Sequence, residues 1–212
     1  MLLELKRALD VLGSFIAILM ALPLFLLVAA AVKLSSPGPI LFKQERVGQF
    51  GKRFMFLKFR SMYVDNDPTA HREFIEQLID AGKGNTCPGN KKEGIYKITR
   101  DPRVTPVGRW LRKLSLDEFP QFINVLRGEM SLVGPRPPVP YECERYDIWH
   151  RRRVTDAKPG ITGLWQVEGR SALPFDEAVR LDIKYIREWS LWLDIKIILK
   201  TPVAVLMCKG AY

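Results

Sequence analysis

Val11-Leu12-Gly13-Ser14-Phe15-Ile16-Ala17-Ile18-Leu19-Met20-Ala21-Leu22-Pro23-Leu24-Phe25-Leu26-Leu27-Val28-Ala29-Ala30-Ala31-Val32 is a 22-residue stretch without a charged side chain, bounded by Asp10 and Lys33 and divided near its middle by Pro23. A straight helix of roughly 20 residues, rising about 1.5 Å per residue, just crosses a hydrocarbon core of about 30 Å. Length alone therefore leaves the topology open. Basic residues lie beyond both ends: Lys6 and Arg7 before it, and Lys33, Lys43, Arg46, Lys52, Arg53, Lys58 and Arg60 after it, the latter against the single acid Glu45. Positive charge is retained on the cytoplasmic side, so obeying that rule at both ends requires the chain to enter the bilayer and return. Pro23 supplies a break for such a return, because an internal proline removes a backbone hydrogen bond and clashes with the preceding turn. The expectation is a re-entrant helix hairpin broken at Pro23. A kinked membrane-spanning anchor and a secretory signal ending near Ala29-Ala30-Ala31 are the competing readings.

About 180 residues remain, enough for one compact domain with its own core. The predicted fold is α+β and helix-dominated: the hairpin over residues 1–36, then a cytoplasmic membrane-associated domain over residues 37–212 containing a small β-hairpin and amphipathic interfacial helices. Residues 40–46 and 53–59 read as the paired strands, joined across Gly48-Gln49-Phe50-Gly51. Apolar spacing predicts helices over 71–80, 115–126, 176–189 and 191–200, and Gly82 to Gly94 reads as a loop. Tyr185, Trp189 and Trp192 suit a water–lipid boundary or ordinary core packing equally well.

The net charge of +10 is gathered in patches, among them Arg100, Arg103, Arg109, Arg112 and Lys113, then Arg145 with Arg151-Arg152-Arg153. Such patches suit nucleic acid, acidic phospholipid or phosphorylated small molecules, and charge does not choose among them. Beside an apolar segment an anionic bilayer gains weight. Two histidines, His71 and His150, lie near no candidate nucleophile, and Cys87, Cys143 and Cys208 form no CxxC, so hydrolytic triads, zinc sites and a disulfide framework are not indicated.

Carboxylate chemistry is better represented. Ser115-Leu116-Asp117-Glu118-Phe119-Pro120-Gln121 sets adjacent acids at a predicted helix start, a few residues after Arg109, Arg112 and Lys113. Ser115 and Glu118 have capping-box spacing, which accounts for those two and leaves Asp117 unexplained. A helix start beside arginines attracts phosphate and keeps a carboxylate ionised, and an ionised carboxylate can attack phosphorus. Gly134-Pro135-Arg136-Pro137-Pro138 is a stiff turn presenting one guanidinium, which loses little entropy on meeting a phosphate.

Six segments occur in order: Lys58-Phe59-Arg60-Ser61-Met62, the acidic segment from Ser115 to Gln121, Asn124 to Ser131, Val133-Gly134-Pro135-Arg136-Pro137, Lys158-Pro159-Gly160-Ile161-Thr162-Gly163, and Trp189-Ser190-Leu191-Trp192-Leu193-Asp194. With them the chain resembles the bacterial sugar transferases, the monotopic phosphoglycosyl transferases that begin assembly of surface glycans. The resemblance implies transfer of a sugar 1-phosphate from a UDP-sugar to polyprenyl (undecaprenyl) phosphate, with UMP as the second product. It implies Asp117 as nucleophile and Glu118 as a Mg²⁺ ligand. Lys58, Arg60, Arg112, Gln121, Arg136 and Arg170 are implied at the substrates, with Asp182 and Asp194 as further carboxylates for the metal or the site. It implies a monotopic protein on the cytoplasmic face of the bacterial inner membrane, with the anionic phospholipid bilayer as partner and no nucleic acid, and it allows a homodimer. One departure concerns the hairpin: many relatives carry serine before the hairpin proline, where this chain has Leu22. A basic membrane tether without activity and a membrane-bound nucleotide-sugar hydrolase are the rival functions.

Overall fold

Residues 2–35 lack any internal glycine pair or second proline, and they form one helix, α1 (Leu2–Ser35), in the computed structural model of the protein. The structure describes residues 1–64, 69, 73, 79, 101–169 and 173–206. The predicted two-helix hairpin is replaced by this continuous helix, with Pro23 inside it. Proline there forfeits one backbone hydrogen bond, and the bonds on either side suffice to carry the helix through. Leu12, Phe15, Leu19, Met20, Leu26 and Leu27 are all more than half exposed along its middle, so α1 is long and apolar enough to cross a membrane.

Both ends of α1 are tied to the same body. Near the start, Lys6 Nζ binds Asp194 Oδ2 at 2.6 Å, Arg7 donates to the carbonyls of Val125 and Leu126 at 2.6 and 2.9 Å, and buried Asp10 accepts from Ser131 Oγ and Leu132 N. Near the end, Val28 and Val32 are buried against Phe59 and Leu111. Phe25 meets Phe59 and Phe119 edge-on, with ring centroids 5.9 and 5.6 Å apart. The last carbonyls of α1 would be orphaned by the turn at Ser36-Pro37. Arg60 answers them: its guanidinium donates to Pro37 O at 2.8 Å, Ser36 O at 2.6 Å and Val32 O at 3.3 Å.

β1 (Leu41–Val47) and β2 (Arg53–Phe59) pair antiparallel, with Leu41 opposite Phe59 and Val47 opposite Arg53. The predicted hairpin is thus present, and its turn uses Phe50 at φ 59°. α2 (Pro106–Lys113) follows, capped by Thr105 Oγ1 on Gly108 N. The predicted helix over 115–126 is divided into a 3₁₀ turn, Leu116–Glu118, and α3 (Gln121–Leu126). The short strands β3 (Ser131–Val133) and β4 (Gly160–Thr162) pair parallel, and α4 (Pro140–Glu144) and α5 (Ile148–Thr155) lie between them in sequence. α6 (Leu164–Glu168), α7 (Phe175–Arg187) and α8 (Leu191–Leu206) complete the described chain. α8 buries Asp194 and Ile197 and exposes Trp192, Ile195, Ile198, Leu199 and Val203. The helix expected over 71–80 and the loop over 82–94 lie outside the described residues, apart from Glu73 and Ile79. Ile79 is buried with Val47, Tyr146 and Val154.

Arg60 was expected at a substrate; in the structure its terminal nitrogens bind Val32 O at the end of α1 and Ser36 O and Pro37 O just beyond it, and its Nε has no partner among the described residues. Replacing it, Arg60→Ala, leaves several buried carbonyls unpaired and should lower unfolding stability by about 2–3 kcal/mol. Thermal unfolding in detergent checks this, and the donor KM of the folded fraction should stay unchanged.

Candidate active site

Lys58 sits near the end of β2, and α3 fixes where that end lies. Asn124, fully buried, behaves as a missing strand: its Oδ1 accepts from Leu57 N at 3.1 Å and its Nδ2 donates to Met55 O at 2.8 Å and Glu129 Oε2 at 2.6 Å. The open edge of β2 is satisfied and α3 is locked across it. The 3₁₀ turn just before α3 consequently brings Asp117 and Glu118 to Lys58 Nζ, at 3.8 Å from Asp117 Oδ2 and 3.1 Å from Glu118 Oε1. Ser115, which starts that turn, is left-handed at φ 54° and makes no side-chain cap. The expected capping box is therefore absent: the left-handed backbone opens the turn, and Glu118 points to cations instead of to Ser115. Such a conformation in a non-glycine residue next to reactive groups stores local strain.

Arg136 reaches the same carboxylate, with its guanidinium 3.1 Å from Glu118 Oε1. Its loop is held carbonyl by carbonyl. Pro135 O accepts from Gly160 N at 2.8 Å, Arg136 O from Arg153 at 3.2 Å, Pro137 O from Arg46 at 2.9 Å and Pro138 O from Val47 N at 3.0 Å. Prolines donate no N–H, so four consecutive carbonyls satisfied from outside leave this loop one conformation. Close backbone approach also requires Gly134 and Gly160, where a Cβ would lie 2.3 Å from Lys158 O and 2.0 Å from Gly134 N respectively.

Burial and charge treat the two acids differently. Burial pushes Asp117 up from the ordinary aspartate range, with Lys58 opposing and Glu118 adding to the rise. Burial acts in the same sense on Glu118, yet Lys58 and Arg136 outweigh it and hold Glu118 well below the usual carboxylate range. Asp117 accepts no hydrogen bond among the described residues, and its lone pairs stay available. Arg112 donates to Ser61 Oγ at 2.9 Å, and its charge acts on Asp117.

Lys58, Arg112, Asp117, Glu118 and Arg136 are thus brought together from four separate segments. Other predicted residues are elsewhere. Asp194 accepts from Lys6, from Tyr185 Oη at 2.7 Å and from Trp189 Nε1 at 3.1 Å. Asp182, raised to about 6 by burial, faces Arg153 at 2.7 Å. Each faces a cation of its own, Lys6 for Asp194 and Arg153 for Asp182. Gln121 is buried with its Nε2 unpartnered, and Arg170 lies outside the described residues. Arg46, Asn124 and Arg153 were missed. Asn124 is a polar residue between apolar Ile123 and Val125, whereas Arg46 and Arg153 sit in charged runs that do not set them apart.

Mg²⁺ is the ion the resemblance implies. Among the described residues no group of three or more acidic, histidine or cysteine side chains is arranged to hold a metal. Both cations on Glu118 use Oε1, which leaves Oε2 without a partner among those residues. Mg²⁺ commonly takes one or two protein carboxylates and fills its shell with substrate phosphates and water, and this donor set fits that habit.

An adjacent acid pair, Asp117 buried and Glu118 partly so, is cradled by lysine and arginine on a body pinned to an exposed apolar helix. The chain belongs to the bacterial sugar transferase family, which it matches over residues 2–208. The galactosyl transferase CpsE of Streptococcus agalactiae serotype III (strain NEM316) is 45% identical over 208 residues, covering 97% of this chain and 43% of CpsE. The exopolysaccharide production protein ExoY of Rhizobium meliloti (strain 1021) is 42% identical over 98% of this chain and 88% of its own length. The undecaprenyl-phosphate galactose phosphotransferase of Salmonella typhimurium (strain LT2) is 42% identical, and this chain spans 42% of it.

Gly108 lets α2 lie against the segment after β2, since a Cβ there would meet Ser61 O at 2.0 Å. Gly108→Ala should push α2 outward, separate Arg112 from Ser61 and cost about 1–3 kcal/mol of stability. Steady-state kinetics should then show a raised donor KM, and an unchanged KM would separate Arg112 from the site.

Proposed function

We propose that this chain transfers a sugar 1-phosphate from a UDP-sugar to polyprenyl phosphate, releasing UMP and forming polyprenyl diphosphosugar through a phosphosugar ester on Asp117. The observation that carries this reading is the contrast between two adjacent acids: partly buried Glu118 is clamped by Lys58 and Arg136, while buried Asp117 accepts no hydrogen bond among the described residues. In the first step an Asp117 carboxylate oxygen attacks the phosphorus attached to the sugar, the bond to the bridging oxygen breaks, and that oxygen leaves with UMP. In the second, an oxygen of the lipid phosphate attacks the same phosphorus and Asp117 is regenerated. Lys58 and Arg136 stand where a diphosphate would place its charge, and the fixed loop keeps Arg136 there without reorganisation. Mg²⁺ held by Glu118 and the diphosphate would supply further neutralisation of the departing phosphate.

The relatives' names support both substrates: undecaprenyl phosphate in the Salmonella protein, and UDP-glucose with undecaprenyl phosphate in the Escherichia coli (strain K12) glucose-1-phosphate transferase. The reaction would begin assembly of an exopolysaccharide or other surface glycan. We place the chain at the cytoplasmic face of the inner membrane, with both ends of α1 held on that face and its exposed apolar middle in the lipid. The docking of both ends of α1 on one body supports this placement. The exposed apolar stripe of α8 suits the interface beside it.

UMP release from UDP-glucose or UDP-galactose in the presence of undecaprenyl phosphate measures the reaction. Asp117→Asn should lower it by about 10³-fold or more, and intact enzyme given donor without acceptor should gain the mass of a phosphosugar at Asp117. Near-normal turnover in Asp117→Asn would contradict the ester. The acid limb of kcat/KM follows from the sign of the Asp117 shift. The attacking form is present above its folded pKa and lost as pH falls through it, so the limb should lie above 3.8, the ordinary aspartate value.

A further inference from the structure

The arginine run 151–153 divides its labour by helical position. Arg153 turns inward to Asp182 and to the Arg136 carbonyl, whereas Arg152 stays exposed on the outer face of α5. That outer face meets α7 at a groove of about 470 Å³, lined by Trp149 and Arg152 on one side and by Arg180, Ile183, Lys184 and Arg187 on the other. None of these residues belongs to the Asp117–Glu118 centre.

Three features mark the groove as more than a solvated face. Arg180, Lys184 and Arg187 stand at i, i+4 and i+7 of one helix, the last two in its final turn, so one face of α7 presents a row of cations to the groove. None of the three has an ion-pair partner among the described residues, and Arg152 has only the exposed Asp156 at 3.2 Å. Glu188 is the single carboxylate lining the groove. Between the cations lies a half-buried apolar floor of Trp149 and Ile183, and the Trp149 ring is held by the His150 ring, 3.9 Å away between centroids. Opposed guanidinium and ammonium groups around an aromatic platform, in a volume typical of small-molecule sites, suit a ligand with phosphate at one end and a flat ring at the other.

We propose that the groove between α5 and α7 is a second anion site, taking a phosphorylated small molecule of the nucleoside diphosphate class. The site needs no group from the catalytic centre and stands apart from the transferase reading.

Binding of ADP, a nucleoside diphosphate with a base other than that of the proposed donor, tests it on the full chain in nanodiscs of neutral phosphatidylcholine. Titration calorimetry is run in the Arg136→Ala background, which weakens the catalytic centre. Saturable binding should persist there and weaken about tenfold or more in Arg180→Gln/Arg187→Gln, with inorganic pyrophosphate competing. The control Lys43→Gln/Lys52→Gln removes two equally exposed cations from the β-hairpin and should leave the affinity unchanged. Equal weakening by both pairs would reduce the groove to general charge and overturn the proposal. So would loss of ADP binding with Arg136, or an effect of the groove pair seen only as poorer retention on vesicles containing phosphatidylglycerol.

Discussion

The fastening of α1 at both ends to a single body constrains everything else in this protein. Lys6 with Asp194, and Arg7 on the last carbonyls of α3, hold its beginning; Val28, Val32 and the Arg60 clasp hold its end. The middle exposes leucine and phenylalanine that water does not tolerate in such number. A helix restrained in this way can bring its apolar middle into lipid only while both ends stay with the catalytic body. Because Arg7 caps α3, and the turn before α3 carries Asp117 and Glu118, anchor and reactive centre share one structural element.

The centre itself rests on placing charge without spending flexibility. Glu118 Oε1 holds two cations, buried Asp117 has Lys58 nearby but accepts no hydrogen bond among the described residues, and Arg136 rides on a loop whose carbonyls are taken up by β1, β4 and α5. The positive charges are therefore fixed in position, which in the proposed reaction would spare their reorganisation around a diphosphate. Arg46 and Arg153 contribute through backbone carbonyls, and Asn124 through the edge of β2, so much of the geometry is set by residues outside the acid pair and its cations.

Local pattern revealed some of this and tertiary contact decided the rest. The β-hairpin was legible from its alternating strands and glycine turn, and the last two helices from their spacing. The parallel β3–β4 pair was not, since strands of three residues have no period to detect. Pro23 was read as a break, but a proline forfeits one bond and the rest of the helix has its partners within the chain. Lys58, Asp117, Glu118 and Arg136 were recognisable as motifs and do converge. Arg60 and Asp194 lie in the same kind of motif and Asp182 in none, and each is bound by a partner distant in sequence: the end of α1, Lys6 and Arg153 respectively. A motif names the residue, and only the fold names its partner.

Single-cysteine labelling with a membrane-impermeant maleimide tests the central constraint most directly. Leu3 and Leu34 flank the apolar middle of α1 and are 71% and 88% exposed, so cysteine at either position is reachable once Cys87, Cys143 and Cys208 are replaced by serine. Both positions should react in inside-out inner-membrane vesicles and neither in intact spheroplasts. Labelling of one position from each side would mean that α1 crosses the bilayer, and the shared anchoring of helix and reactive centre would be refuted.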